Sequence, residues 1–389
     1  MTKNDRTLGI NTRLAHSGHN PRDYHGFVNP PVVHASTVLF PDAATLAARA
    51  QKYTYGTRGT PTTDALASAI DDLEGSAGTI LVPSGLAAVT VPLLAFAEAG
   101  RHILIVDSVY HPTRHFADTI LKRLGMEVDY YDPRIGAGIA ALIKPNTSIV
   151  FTESPASNTF EVQDISAIAK AAHAAGALVM MDNTWATPLY FKPLHHGVDI
   201  SIHAATKYPG GHSDVLLGTV SANEAHWPRL HDAFTTLGCC AGPDDVYQVL
   251  RGLRTMGVRL EHHQRSALAI AQWLEQQSGV ARVLHPALPS HPDYALWKRD
   301  FGGSSGIFSV VLAGGGQSQA HAFLDALKIF GLGYSWGGYE SLAVPIYLGD
   351  RVIAKGPYEG PVIRLQIGLE DIEDLKADIL LGLKAAAAV

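Results

Sequence analysis

The chain has 389 residues, 47% hydrophobic and 17% charged, with a formal net charge of −6 at pH 7. That length exceeds what one hydrophobic core usually serves, so two or more packed units are expected. The composition is that of an ordinary globular protein, and Lys and Arg are nowhere concentrated, which leaves nucleic-acid or membrane-surface binding without electrostatic support.

The opening residues, MTKNDRTLGINTR, contain no apolar core of a secretory leader. The longest largely apolar run, 86–97, is shorter than the roughly 20 residues a bilayer crossing needs. The only two cysteines, Cys239 and Cys240, are adjacent, and sequence neighbours make a strained disulfide. Without a disulfide framework a reducing compartment is expected, and with it a cytoplasmic protein.

Residues 1–55 are interrupted by prolines and read as an arm. From 79 to 222, short β-rich runs alternate with helical stretches. The strands are expected over 79–82, 102–106, 127–131, 148–152, 178–181, 200–203 and 216–221. Several are almost wholly apolar, as strands buried on both faces are. Alanine-rich amphipathic segments such as 165–175 lie between them, so the spacing predicts a parallel α/β sheet covered by helices. Beyond 245 one long helical stretch is expected over 246–278, then a looser Pro- and His-rich region over 284–291. Two further strands (307–312, 362–367) and helices near 320–328 and 372–386 suit a smaller α/β domain, and the alanine-rich tail a frayed helix end. The expected division is an arm at 1–55, a cofactor-binding domain at 56–245 and a C-terminal domain at 246–389.

Two motifs fail. Gly302-Gly303-Ser304-Ser305-Gly306 has the form of a nucleophile elbow, which requires a strand, a sharp turn and a helix. Here a β-rich run follows the serines. The 19 histidines include His111 and His115 at helical spacing and the pairs His195-His196 and His262-His263. None is joined by a second cluster at zinc-ligand spacing, so no metal is expected.

Four features converge. Lys207 stands just past an apolar strand and before Pro209-Gly210-Gly211, at the carboxyl edge of a parallel sheet, where open α/β folds bind ligands. A nucleophilic lysine must be neutral, and an apolar strand end favours the neutral amine. An unremarkable surface lysine is the alternative. Asp182 ends the preceding strand, where it could pair with the protonated ring nitrogen of a cofactor or simply cap a helix. In Val82-Pro83-Ser84-Gly85-Leu86 a strand turns through glycine into a helix whose free N–H groups suit a phosphate, as at many βα turns. Arg364 sits inside an apolar strand, so its guanidinium needs either a protein acid or a substrate carboxylate.

The chain resembles the Cys/Met-metabolism family of pyridoxal-phosphate (PLP) enzymes, and within it the bacterial cystathionine β-lyase branch. The resemblance runs from about Thr12 to Ile379. It is carried by Tyr55-Gly56-Thr57-Arg58-Gly59-Thr60, Asp182-Asn183-Thr184-Trp185, the Lys207 segment with Gly211-His212-Ser213-Asp214, and Tyr334-Ser335-Trp336-Gly337-Gly338-Tyr339-Glu340-Ser341. It implies PLP fold type I, the aspartate-aminotransferase-like α/β architecture with a mostly parallel central sheet. It further implies Lys207 as the Schiff-base lysine and Asp182 as the partner of the pyridinium. Gly85, Leu86 and Thr206 would hold the phosphate, and Tyr110 would stack on the ring. Arg364, supported by Ser335, would take the substrate α-carboxylate. Tyr55 and an arginine two places later would reach a neighbouring subunit's phosphate, which makes the protein a homo-oligomer, usually a tetramer of two such dimers. That place holds Thr57 here and Arg58 comes one later, so Arg58 serves either the phosphate or the far end of the substrate. The family often has asparagine where Ser157 stands. Trp336 resembles the β-lyase branch, γ-acting relatives usually having a smaller aliphatic residue there; core packing is its alternative role.

The resemblance implies β-elimination from L-cystathionine to homocysteine, pyruvate and ammonia, with other cysteine S-conjugates as further substrates. Lys207 would move the Cα proton, and Lys207, Tyr110 or Tyr55 would protonate the leaving sulfur. A γ-acting relative (γ-synthase, γ-lyase) shares every cofactor residue and is separated by its products. An amino-acid racemase side activity and a PLP-binding regulatory protein are the remaining alternatives. The last would lack the lysine or aspartate, or add a DNA-binding segment, and neither is seen.

Overall fold

The computed structural model describes residues 8–356 and 358–389. The leader reading at 1–13 and the arm at 1–55 therefore fall partly outside the described residues. The rest of the arm holds two short helices, Ile10–His16 and Ala43–Ala48, with the 3-10 turn Pro21–Tyr24 and otherwise irregular chain between them.

The larger sheet has seven strands: β1 (Gly78–Val82), β2 (His102–Val106), β3 (Glu127–Tyr131), β4 (Thr147–Glu153), β5 (Leu178–Asp182), β6 (Ile200–His203) and β7 (Gly218–Ala222). Their spatial order is β1-β7-β6-β5-β4-β2-β3. Six run parallel, while β7 is antiparallel to both neighbours. The seventh strand begins at Gly218 rather than at 216, because the chain between β6 and β7 is a helix-free loop that simply turns back. The loop bearing Lys207 is that return.

Helices cover both faces because the strands are apolar on both, β1, β2, β6 and β7 being buried throughout. Local chemistry fixes where the covering helices begin. Thr60 and Thr63 form a capping box and Pro61 opens the helix Pro61–Glu74, which Gly75 ends at φ +74°. Ser84 caps the helix Gly85–Phe96 by accepting the Ala87 N–H at 3.1 Å.

The expected helix over 246–278 is two helices, Pro243–Leu253 and Met256–Leu274. Gly252 lies against the Lys207 loop, where a Cβ would come within 2.3 Å of the carbonyls of Pro209 and Gly210. The second sheet has the order β10-β11-β12-β9-β8, with β8 (Val280–Leu284), β9 (Ile307–Leu312), β10 (Gly331–Leu332), β11 (Leu342–Ile346) and β12 (Val362–Gln366). β8, β10 and β11 are strands beyond the two expected there. The tail helix runs over Ile372–Ala387. One apolar cluster joins both sheets, from Leu14 to Leu383.

Candidate active site

The carboxyl ends of β6, β5, β4 and β2 lie side by side, and each supplies a polar group. Lys207 follows β6, Asp182 ends β5, Glu153 ends β4 and Tyr110 follows β2. Lys207 is partly buried, and its Nζ donates to Ser335 Oγ at 2.6 Å. Burial, then the charge of Arg364, pull its ammonium down to about 8, against the opposing pull of Asp182.

Ser335 reaches Lys207 from the loop between β10 and β11 with φ +89°, a left-handed conformation costly for serine and held by its surroundings. Two residues on, Gly337 (φ +83°) lies so close that a Cβ would be 3.2 Å from Lys207 Cα. Between them Trp336 is only 7% exposed, its ring centroid 5.5 Å from Lys207 Nζ and 5.6 Å from the ring of the buried Tyr208. Trp336 therefore both packs in the core and walls the lysine.

Asp182 does not cap a helix. Its Oδ1 accepts the Thr184 N–H at 2.9 Å, and Thr184 Oγ1 in turn accepts the Ala204 N–H. Burial holds its carboxyl above the usual aspartate range. Arg364 on β12 meets no carboxylate within ion-pair distance among the described residues. It donates instead to Asn158 Oδ1 at 2.9 Å and to the Ser157 carbonyl at 3.3 Å. Most of its fork is left for a ligand.

Gly85 permits a close approach: a Cβ there would lie 2.6 Å from Ala204 Cβ, just past β6. The first N–H groups of this helix, at Gly85 and Leu86, have no intrahelical partner, and Leu86 is 41% exposed. Thr206 Oγ1 exchanges bonds with the Leu217 backbone at 3.1 and 3.3 Å. Tyr110 is 44% exposed, and its hydroxyl is pushed up by burial and by the nearby charges of Asp182 and Glu153.

Two expected residues are not gathered here. Tyr55 is half exposed and pairs with Thr37 of the arm, and Arg58 ends the short turn Gly56–Arg58. Neither is bonded to the Lys207 cluster within the chain. Two unexpected ones are: Asn158, through Arg364, and Glu153, one residue past the expected end of its strand. Glu153 could have been found as Asp182 was, as an acid closing an apolar strand. Among the described residues no three His, Cys, Asp or Glu side chains gather as a metal site, and no helix is long and apolar enough to cross a membrane.

The Cys/Met metabolism PLP-dependent enzyme family matches residues 11–384. The chain belongs to this family. It is 71% identical over 388 residues to a Rhizobium johnstonii protein provisionally named a cystathionine beta-lyase, covering 99% of this chain and 98% of that one. It is 43% identical to the cystathionine beta-lyase MetC of Escherichia coli, covering 96% and 98%. Among solved structures, the cystathionine gamma synthase of Xanthomonas oryzae pv. oryzae, in complex with aminoacrylate and cysteine, superposes with a TM-score of 0.90 at 32% identity, covering 98% of this chain and 99% of that one. The fold is thus that of the fold type I PLP enzymes.

The residues present fit the cofactor. A desolvated lysine, a buried acid and a glycine-opened helix start stand at one edge of the sheet, and at 85 a side chain would press on Ala204. Lys207 would carry it, Asp182 face its ring nitrogen, and Gly85 and Leu86 hold its phosphate.

Proposed function

We propose that this chain cleaves L-cystathionine by β-elimination to homocysteine, pyruvate and ammonia, and accepts other cysteine S-conjugates whose sulfur leaves well. The observation that carries the reading is the amine of Lys207, desolvated beside Arg364 and bonded to Ser335. Identity of 71% and 43% to proteins named cystathionine beta-lyases supports β- over γ-chemistry.

PLP, when bound, supplies an electron sink for charge developing at the substrate Cα. Arg364, steadied by Asn158, takes the α-carboxylate in its free fork. Lys207, neutral above about pH 8, takes the Cα proton, with Ser335 holding its Nζ in place. Asp182 would face the ring nitrogen and favour its protonated form. The Cβ–S bond then breaks with both electrons going to sulfur, and Tyr110 or the protonated Lys207 delivers a proton to it. Trp336 keeps water from the lysine side. Hydrolysis of the remaining three-carbon fragment gives pyruvate and ammonia.

The reading includes a cytoplasmic homo-oligomer, a tetramer of two dimers, in which Tyr55 and Arg58 serve a neighbour's site. Their exposure in the single chain supports this. It also includes the division into an arm (1–55), a cofactor domain (56–245) and a C-terminal domain (246–389). Likeness to a gamma synthase favours a second reading, γ-chemistry on the same residues. Product identification with L-cystathionine decides. Pyruvate with homocysteine supports β-elimination; 2-oxobutyrate with cysteine overturns it in favour of γ; turnover to neither overturns both.

A further inference from the structure

Glu153 closes β4 directly opposite Asp182 in the parallel register, so the two carboxyls project from the same face of the sheet. It is 4% exposed, and no cationic side chain pairs with it among the described residues. Two carboxyls buried together repel, and burial and this neighbour hold the Glu153 carboxyl well above the usual range. Fold stability gives no reason to keep such a residue.

Its bonds give one. Oε2 accepts the Tyr110 N–H at 2.7 Å, and Oε1 accepts the Ser157 N–H at 3.0 Å. The first bond fixes the turn after β2 that carries the Tyr110 ring. The second fixes the loop after β4, where Ser157 O and Asn158 Oδ1 hold the Arg364 guanidinium. Ser309 on β9 secures the same loop by donating to the Asn158 carbonyl at 2.7 Å. One carboxyl group thus spans two loops that belong to different strands, each of its oxygens accepting one backbone N–H. Glutamine offers one acceptor and would turn an N–H donor toward the other amide.

We propose that Glu153 is a positioning residue of this site, whose two oxygens set where Tyr110 and the Asn158–Arg364 pair stand relative to the substrate. The proposal rests on the assignment of Tyr110 and Arg364 to the substrate made above. The role runs through the backbone, since both Glu153 oxygens bond main-chain N–H groups.

The test uses the PLP-loaded protein with Glu153→Ala, Glu153→Gln and Glu153→Asp. L-alanine, which has the α-carboxylate and amine but no leaving group, is titrated by the cofactor's absorbance change. KM and kcat for L-cystathionine and the melting temperature are measured in parallel. Each buried N–H left without an acceptor is expected to weaken the geometry it held by about tenfold. Glu153→Ala should therefore bind L-alanine at least tenfold more weakly and raise KM similarly, with PLP still bound one per chain. Glu153→Gln should fall between Glu153→Ala and wild type, and carries the test if the alanine variant does not fold. L-alanine affinity and KM within threefold of wild type, with only the melting temperature lowered, would overturn the proposal while leaving β-elimination intact. If wild type does not cleave L-cystathionine but L-alanine binding depends on Glu153, the positioning role stands and the functional reading fails.

Discussion

Replacing Arg364 with Met should destroy activity without weakening the fold. Arg364 lies in β12 opposite Val344 and Ser309, in otherwise apolar company, and among the described residues no carboxylate neutralises it. Its bonds to Asn158 and Ser157 are worth about 1 kcal/mol each net, which the relief of burying an uncompensated cation offsets. A flexible, similarly long methionine should leave the melting temperature unchanged or slightly higher. The substrate, by contrast, loses two charge-assisted hydrogen bonds of about 1.5–3 kcal/mol each, or roughly 3–6 kcal/mol in all. That corresponds to a fall in kcat/KM for L-cystathionine of about 10²–10⁴. Because Arg364 also lowers the affinity of Lys207 for its proton, the comparison is repeated at pH 9.5, which narrows the difference in protonation between the two proteins. Steady-state kinetics and a thermal melt suffice. A kcat/KM within tenfold of wild type at pH 9.5, or an equal loss explained by unfolding, would refute the assignment.

Further outcomes follow from the same geometry. Covalent uptake of PLP by the apoprotein requires neutral Lys207, so its rate should rise with pH through about 8 and level off above, with the midpoint displaced upward in Arg364→Met, as stopped-flow absorbance will show. Gly85→Ala would press a methyl against Ala204 Cβ at 2.6 Å, moving the helix start outward. Equilibrium PLP affinity should fall at least tenfold, whereas retained affinity would place the phosphate elsewhere. Glu74 is buried with Oε2 unbonded, and burial raises its carboxyl to about 7 from an ordinary value of 4.5. Its stabilising contribution is complete below pH 4.5 and is lost as pH rises through about 7. Glu74→Gln should therefore gain stability relative to wild type between pH 5 and pH 8, by up to about 3 kcal/mol in denaturant titrations.

The sequence was most informative where the physics is local. Runs such as His102–Val106 are apolar on both faces and could only be central strands, and Lys207 and Asp182 announced themselves as polar residues at the ends of such runs. β11 escaped because Pro345 interrupts its pattern, and β8 because Ala281 and Arg282 lie exposed at a register shift. The helix break after Leu253 has no proline to signal it; it arises where Gly252 meets the Pro209–Gly210 backbone, a contact between distant segments. The reversal of β7 was in principle legible, since the loop after β6 holds no crossover helix. Asn158 had no local signal at all: its role exists only because β12 brings Arg364 beside the loop after β4.

The central claim is that Lys207 is the residue to which the cofactor is joined. Borohydride reduction of the PLP-loaded protein, followed by digestion and mass analysis, reads the attachment point directly. The account predicts one reduced pyridoxyl-phosphate group per chain, on the peptide containing Lys207 and absent from Lys207→Ala. A label on any other lysine, or a label that survives Lys207→Ala unchanged, would contradict it.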